Sequence, residues 1–348
     1  MSPIDGPKSA RESLNVTLIG TGTIGLSFAA LHLSRRSGPA VKLTVYDPRP
    51  DLEGYIDKTL PDYLRSVWPS DSASRSSEQS RAEAPDVGDL RAAGRIAVAS
   101  SLADAVQGAD IIQEQGPEDV AFKQDIWAKI EPLAPPHALF WSSTSGIPAS
   151  VQMARMQDKT RLIVLHPFNP PHVMPLLEIV PSPATLSLPH SSIMDQTIEY
   201  WKGLGRTPIV VKEEVTGFIA NRLSFALFKE AAYLAQRGVC SPQDIDKIVE
   251  QSLGPRWAVR GPFWSYHAGG GQDRGLEGFF DKIGSTIQAC WDDTGELSLE
   301  SDGTDKETWA TCLSKEVQEI YGHLGPDDLR KRDQALAKVL DITQGSQE

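Results

Sequence analysis

The sequence predicts an α/β protein in which a doubly wound, mostly parallel sheet is followed by an all-α C-terminal domain. Three observations lead there. Short apolar strands alternate with helical patterns up to residue 211. The first strand runs directly into a glycine turn and a helix, and beyond residue 211 only the helical period remains.

Residues 15–19 (Asn-Val-Thr-Leu-Ile) form the first predicted strand, which ends in Gly20-Thr21-Gly22-Thr23-Ile24-Gly25, and residues 26–33 read as a helix. Gly20 permits the tight turn, Gly22 lets the backbone approach a pyrophosphate, and Gly25 lets helix and strand pack closely. Thr23 and Ile24 open the helix whose N-terminus faces the anion. An isolated turn of this composition is also an ordinary glycine loop. The second strand, 41–46, ends in Asp47, about twenty residues beyond the glycines, where a carboxylate accepts hydrogen bonds from an adenosine ribose. Asp47 repels a 2′-phosphate, which favours NAD over NADP, and Arg49 two residues on softens that preference. Together these features predict a Rossmann-type NAD-binding domain over residues 1–211.

Further strands are expected at 96–99, 109–112 and 138–141, with a helix over 119–130. The Ser-rich stretch 69–87 interrupts this pattern and reads as a mobile surface insertion without chemistry. Two strand ends carry polar clusters: Gln113-Glu114-Gln115-Gly116, with Glu118 and Lys123 nearby, and Ser142-Ser143-Thr144-Ser145-Gly146. In an open α/β sheet ligands bind at the carboxyl ends of strands. Ser145 there either holds a substrate oxygen or caps a helix starting near Pro148.

Residues 161–165 read as a buried strand ending at His166, and Asn169-Pro170-Pro171 forces a loop before a second apolar run from Met174 that contains Glu178. A histidine beside a carboxylate on a neighbouring extended segment has the makings of an oriented general base. A satisfied structural pair gives the same pattern. After a strand at 207–211, residues 212–348 are expected to form a separate helical domain, with helices over 216–234, 242–253 and 327–340. Asn221, on an apolar helix, makes either a capping or interhelical hydrogen bond or a substrate contact. Residues 253–262, bounded by glycine and proline, hold Arg256 and Arg260 beside Trp257, where an arginine fork suits a carboxylate or phosphate; the alternative is a loop that salt-bridges to this acidic protein.

A chain of 348 residues with 40% hydrophobic and 23% charged residues has room for two domains with cores. Its net charge of −12 argues against nucleic acid or an anionic membrane as the partner. Cys240, Cys290 and Cys312 lack the paired spacing of a zinc site or disulfide framework, so no metal is expected and a reducing cytoplasm fits. Residues 1–14 carry no signal-like apolar run, and no later run approaches the roughly 20 apolar residues of a membrane span.

These motifs, in this order, resemble the 3-hydroxyacyl-CoA dehydrogenase superfamily over nearly the whole chain. The resemblance rests on the glycine turn, Asp47, the Ser143-Thr144-Ser145 turn, His166-Pro167-Phe168-Asn169-Pro170 with Glu178 downstream, and Gly217-Phe218-Ile219-Ala220-Asn221-Arg222. It implies His166 as catalytic base, Glu178 as its partner, and Ser145 and Asn221 as the holders of the substrate oxygen. Asn169 matches the family's loop asparagine, Asp47 its ribose ligand, and Glu114 and Lys123, with Glu118 beside them, positions lining the cofactor site. Gly254-Pro255-Arg256-Trp257-Ala258 with Gly261-Pro262, the segment Arg330-Lys331-Arg332-Asp333, and Ser143 where acyl-CoA enzymes carry Asn are closer to the branch that includes L-gulonate 3-dehydrogenase (the lambda-crystallin relatives) and carnitine 3-dehydrogenase. That branch uses free hydroxy acids. The implied function is NAD-dependent interconversion of a 3-hydroxy acid and its 3-oxo acid, with Ser143, Asn169 and Arg256 at the substrate, in a cytoplasmic homodimer paired through the helical domain. Action on CoA thioesters, and a non-catalytic NAD-binding structural role, are the alternatives.

Overall fold

The computed structural model of the chain describes residues 13–35, 37–68, 84–187, 193–299 and 308–345. Strands β1 (Ser13–Ile19), β2 (Ala40–Tyr46), β3 (Ile96–Val98), β4 (Ile111–Glu114), β5 (Leu139–Ser142), β6 (Leu162–Pro167), β7 (Leu176–Pro181) and β8 (Thr207–Val210) build one sheet of eight strands in the order β3-β2-β1-β4-β5-β6-β7-β8. Neighbours are parallel throughout except β6 and β7, which are antiparallel, as a mostly parallel doubly wound sheet requires. Parallel neighbours need crossovers. Helices supply them, among them Thr23–Leu33 after β1, Leu52–Val67 after β2, Val120–Ile130 after β4 and Ile193–Lys202 before β8.

Both faces of the sheet are covered, so its central strands are apolar without a break. In β5 and β6 successive side chains serve opposite cores: Trp141, Ile163 and Leu165 join Phe28, Leu31 and Trp201 on one face, and Phe140, Leu162 and Val164 join Trp127, Ile130 and Met153 on the other. That is why residues 161–165 show no polar alternation in the sequence. The strand order reverses between β1 and β4, which opens the crevice where such sheets bind ligands.

Residues 69–83 of the expected insertion lie outside the described residues. Its far end departs from expectation, because Val87 is buried and opens the helix Val87–Ala92, whose N-cap Asp86 accepts the Gly88 N–H at 2.7 Å.

The chain divides into two compact units, residues 1–221 and 222–348; the sequence reading draws its boundary after residue 211. The second unit is helical, with Pro242–Ile248, Gly254–Val259, Pro262–Gly269, Gly275–Asp292, Trp309–Tyr321 and Pro326–Gly345. Two readings need correction. Residues 254–259 are not a loop: they continue the helix Pro242–Ile248 through the π-helical turn Val249–Leu253, and Pro255 sits where the backbone bonding is already shifted, with the Gly254 N–H bonded to the Val249 carbonyl oxygen. The long helix starts at Ala220 rather than 216, because Gly217 (φ 74°) and Phe218 (φ 51°) adopt left-handed backbone that a right-handed helix excludes.

Candidate active site

The glycine turn after β1 separates structural from ligand-facing positions. Gly20 has φ +97°, and a Cβ there would lie 3.0 Å from the Gln115 carbonyl oxygen of the neighbouring strand end. A Cβ on Gly25 would stand 2.1 Å from the Gly20 oxygen, so close packing demands that glycine too. Gly22 is different: nothing lies within 4 Å of its Cβ position, and the helix Thr23–Leu33 that it precedes has no side-chain cap. Open space over uncapped N–H groups at a helix N-terminus is what an incoming pyrophosphate needs.

Asp47, at the end of β2, holds this turn. Its Oδ2 accepts the Thr21 N–H and the Thr21 hydroxyl, both at 2.8 Å, and its Oδ1 accepts the Arg49 N–H at 3.0 Å. Asp47 also lines a cavity of about 570 Å³ with Tyr46, Val98 and Ala99. Arg49 does not reach out as the sequence allowed. Its guanidinium is bound to both oxygens of Asp51 at 2.7 and 3.1 Å and lies 3.6 Å from the Tyr55 ring centroid. A cation so engaged is a poor 2′-phosphate ligand, and the residues present fit NAD.

Glu114 and Lys123 meet as a buried pair, 0% and 1% exposed, with Lys123 Nζ 2.8 Å from both carboxylate oxygens and 3.2 Å from the Gly116 carbonyl oxygen. Burial raises the pKa of Glu114, and Lys123, the Gly116 N–H and Ser142 offset part of that. Neither side chain is among those lining the cavities described here. Their bonds hold the backbone at Gly116, just after β4. Glu118 gathers the serine turn: its Oε1 accepts the Thr144 hydroxyl, the Ser145 N–H and hydroxyl, and the Gly146 N–H at 2.5 to 3.1 Å. Ser145 is therefore not a helix cap. Thr144 Oγ1 takes the local capping part by accepting the Ile147 N–H at 3.1 Å, and the next helix, Ala149–Gln152, has Pro148 at its N-cap.

His166, near the end of β6, stands directly opposite Glu178 in the antiparallel register with β7. Facing residues in such a pair have neighbouring side chains. Nδ1 of His166 is 2.6 Å from Glu178 Oε2, and both residues are buried, 5% and 2% exposed. The other oxygen, Oε1, accepts the Ile219 and Ala220 N–H groups, each at 2.9 Å. The turn at Gly217 and Phe218 aims those amides, and the Phe218 ring packs on the imidazole with centroids 5.4 Å apart. Burial works against ionising Glu178, but the bonds from His166, Ala220 and Ile219 outweigh it, and its pKa falls below the ordinary carboxylate value. A carboxylate at Nδ1 selects the tautomer with hydrogen on Nδ1, which leaves the Nε2 lone pair free.

His166 shares a cavity of about 280 Å³ with Ile24, Ser143, Ser145, Asn169 and Asn221. Six positions singled out in the sequence therefore converge. Asn221 donates from Nδ2 to the Ser145 carbonyl oxygen at 2.8 Å, tying the start of the long helix to the serine turn. Arg256 lies exposed on the helix Gly254–Val259 of the second unit. Sequence reasoning missed Thr21, the organising role of Glu118 and the amides of Ile219 and Ala220. Only the last left a signal, in the Gly217-Phe218 step.

Comparison with known proteins agrees with this geometry. The description "3-hydroxyacyl-CoA dehydrogenase, NAD binding domain" matches residues 15–214, and "3-hydroxyacyl-CoA dehydrogenase, C-terminal domain" matches residues 217–290. The chain is 33% identical over 337 residues to a 3-hydroxyacyl-CoA dehydrogenase of Gibberella moniliformis, covering 95% of each. It is 30% identical over 342 residues to an L-carnitine dehydrogenase of Streptomyces griseus, covering 97% of this chain and 93% of the relative. Among solved structures, 5-formyl-3-hydroxy-2-methylpyridine 4-carboxylic acid 5-dehydrogenase, an NAD+-dependent dismutase, superimposes with a TM-score of 0.70 at 26% identity over 95% of this chain and 98% of the other.

Proposed function

The chain belongs to the 3-hydroxyacyl-CoA dehydrogenase family and is an NAD-dependent dehydrogenase, and on that premise we propose that it interconverts a free 3-hydroxy acid and its 3-oxo acid, with His166 as general base. The observation that carries this reading is the 2.6 Å hydrogen bond between His166 Nδ1 and the Glu178 carboxylate, in a histidine that lines the cavity. NAD, when bound, supplies the hydride acceptor for the carbinol carbon. The glycine turn and Asp47 hold it. His166 Nε2 takes the hydroxyl proton, and Glu178 stabilises the imidazolium that results. Ser145 and Asn221, joined to each other, keep the substrate oxygen in place, where a displacement of about 1 Å costs on the order of a hundredfold in rate.

Support for a free acid comes from three sides. The cavity that His166 lines, about 280 Å³, is small. Ser143 and Asn169 bring polar groups to it that suit a carboxylate of the L-gulonate or carnitine kind. Two of the relatives are named for carboxylic acids. The second reading, action on a CoA thioester, is favoured by the name of the Gibberella moniliformis relative. Initial rates with NAD on matched free 3-hydroxy acids and their CoA esters decide between them. The free acids should react faster, and strict dependence on CoA would end this preference. A non-catalytic role does not suit a chain that gathers Ser145, His166 and Asn221 on one cavity with Glu178 bound behind.

The second unit supports a homodimer. Ala232 is its one buried apolar side chain among the described residues, and Leu223, Phe225, Phe228, Phe263, Trp264 and Phe280 are each more than half exposed. A helical unit of this kind needs a further surface to bury its apolar faces. The free Cys240, Cys290 and Cys312 accord with a reducing, cytoplasmic setting.

A further inference from the structure

A line of polar side chains runs from the core to the cavity wall. The Tyr200 hydroxyl lies 2.6 Å from His32 Nδ1, His32 Nε2 lies 2.9 Å from Gln113 Oε1, and Gln113 Nε2 lies 3.0 Å from Ser143 Oγ. Tyr200 is 6% exposed and His32 and Gln113 are 0% exposed, while Ser143 borders the same cavity as His166. Packing alone would favour an apolar residue at position 32, among the rings of Phe28, Tyr200 and Trp201. Buried polar groups persist there only because each is bonded.

The bonds have a direction. A neutral imidazole has one donor and one acceptor nitrogen, and burial, which pushes the His32 pKa down to about 4, keeps the ring neutral. Among the described residues the Tyr200 hydroxyl meets only His32 Nδ1, so it must donate to it. Nε2 then carries the ring hydrogen and donates to Gln113 Oε1. That bond fixes the amide with its nitrogen toward Ser143, and the Ser143 oxygen accepts. The reverse direction would bury the Tyr200 hydrogen without an acceptor.

We propose that Tyr200, His32 and Gln113 form a one-way hydrogen-bond relay that obliges Ser143 to donate its hydroxyl hydrogen into the cavity, so that the site selects substrates placing an acceptor oxygen, such as a carboxylate, against Ser143. The proposal rests on the reading of this cavity as the substrate site. Tyr200, His32 and Gln113 are positioning residues, since none reaches the cavity itself.

Two measurements test it. The first needs no substrate: nitrogen-15 correlation spectra of the histidine rings, with the His32 signal assigned by its loss in His32→Phe, should show hydrogen on Nε2. Hydrogen on Nδ1 would overturn the relay even if the enzyme's substrate were identified as proposed. The second uses Gln113→Glu, whose carboxylate accepts from both neighbours and turns the Ser143 hydroxyl inward. KM for the acid should rise about tenfold with kcat within about threefold, and the change should shrink to about twofold or less in a Ser143→Ala background. The same rise in both backgrounds would show that the effect does not pass through Ser143. Were no free acid turned over at all, the functional reading would fall while the ring spectra still decided the relay.

Discussion

Replacing Glu178 by Gln keeps the side chain's size but takes one acceptor from a place where three donors converge. His166 Nδ1–H uses Oε2, and the Ile219 and Ala220 N–H groups share Oε1. An amide has one oxygen. If that oxygen stays with the two backbone donors, the amide NH2 faces Nδ1 and moves the ring hydrogen to Nε2, so the base loses its lone pair. If it turns to His166, the NH2 meets two N–H groups. The first arrangement conflicts least, and a wrong tautomer at such a base costs on the order of 10⁴-fold in kcat, or about 5 kcal/mol. The assay is the initial rate of NAD reduction at saturating acid, with NAD affinity by fluorescence titration and unfolding by urea. We expect kcat to fall about 10³ to 10⁴-fold, NAD affinity to stay within about twofold, and stability to drop by about 1 to 3 kcal/mol. A fall in kcat of less than about tenfold would refute the reasoning, because the tautomer would not then depend on Glu178.

Other outcomes follow from the same structure. His32 has its folded pKa depressed from 6.5 to about 4. The unfolded chain therefore binds a proton that the fold refuses, and stability is full above about 6.5 and lost as pH falls toward about 4, by roughly 3 kcal/mol. Urea unfolding of the protein and of His32→Phe across that window should show the loss in the first and a flatter profile in the second. Glu178, with its pKa lowered, stabilises the fold above the usual carboxylate range and ceases to do so as pH drops through its folded value, a dependence that Glu178→Gln should lack in acid unfolding curves. Asp47→Ala should weaken NAD binding by about ten- to a hundredfold, since it removes a charged acceptor and frees Thr21, measured by titration with NAD. Light scattering should give a dimer at micromolar protein, and a monomer would leave the exposed Phe225, Phe228 and Trp264 unexplained.

Much of this was legible in the residue order. A strand running into Gly20, Gly22 and Gly25 and an acidic residue closing the next strand state the sheet and its cofactor directly, because each glycine answers a separate steric demand. His166 and Glu178 were legible as a pair of extended segments, but their register was not: only the antiparallel pairing of β6 with β7 puts them opposite. Arg49 and the 253–262 stretch differ from the sequence reading for separate reasons. The partners that engage Arg49, Asp51 and Tyr55, are set by loop geometry, and the glycine-proline step lies inside a helical run that a π-helical turn carries past it. The bonds of Glu118 and the line from Tyr200 to Ser143 join residues far apart in the chain, and no local pattern encodes them.

His166→Gln measures the role of His166 as the base most directly. With a reactive 3-hydroxy acid and NAD, the variant should show no turnover above background while binding NAD with unchanged affinity. Turnover near that of the unaltered protein would contradict the assignment and, with it, the reason given for the bond between His166 and Glu178.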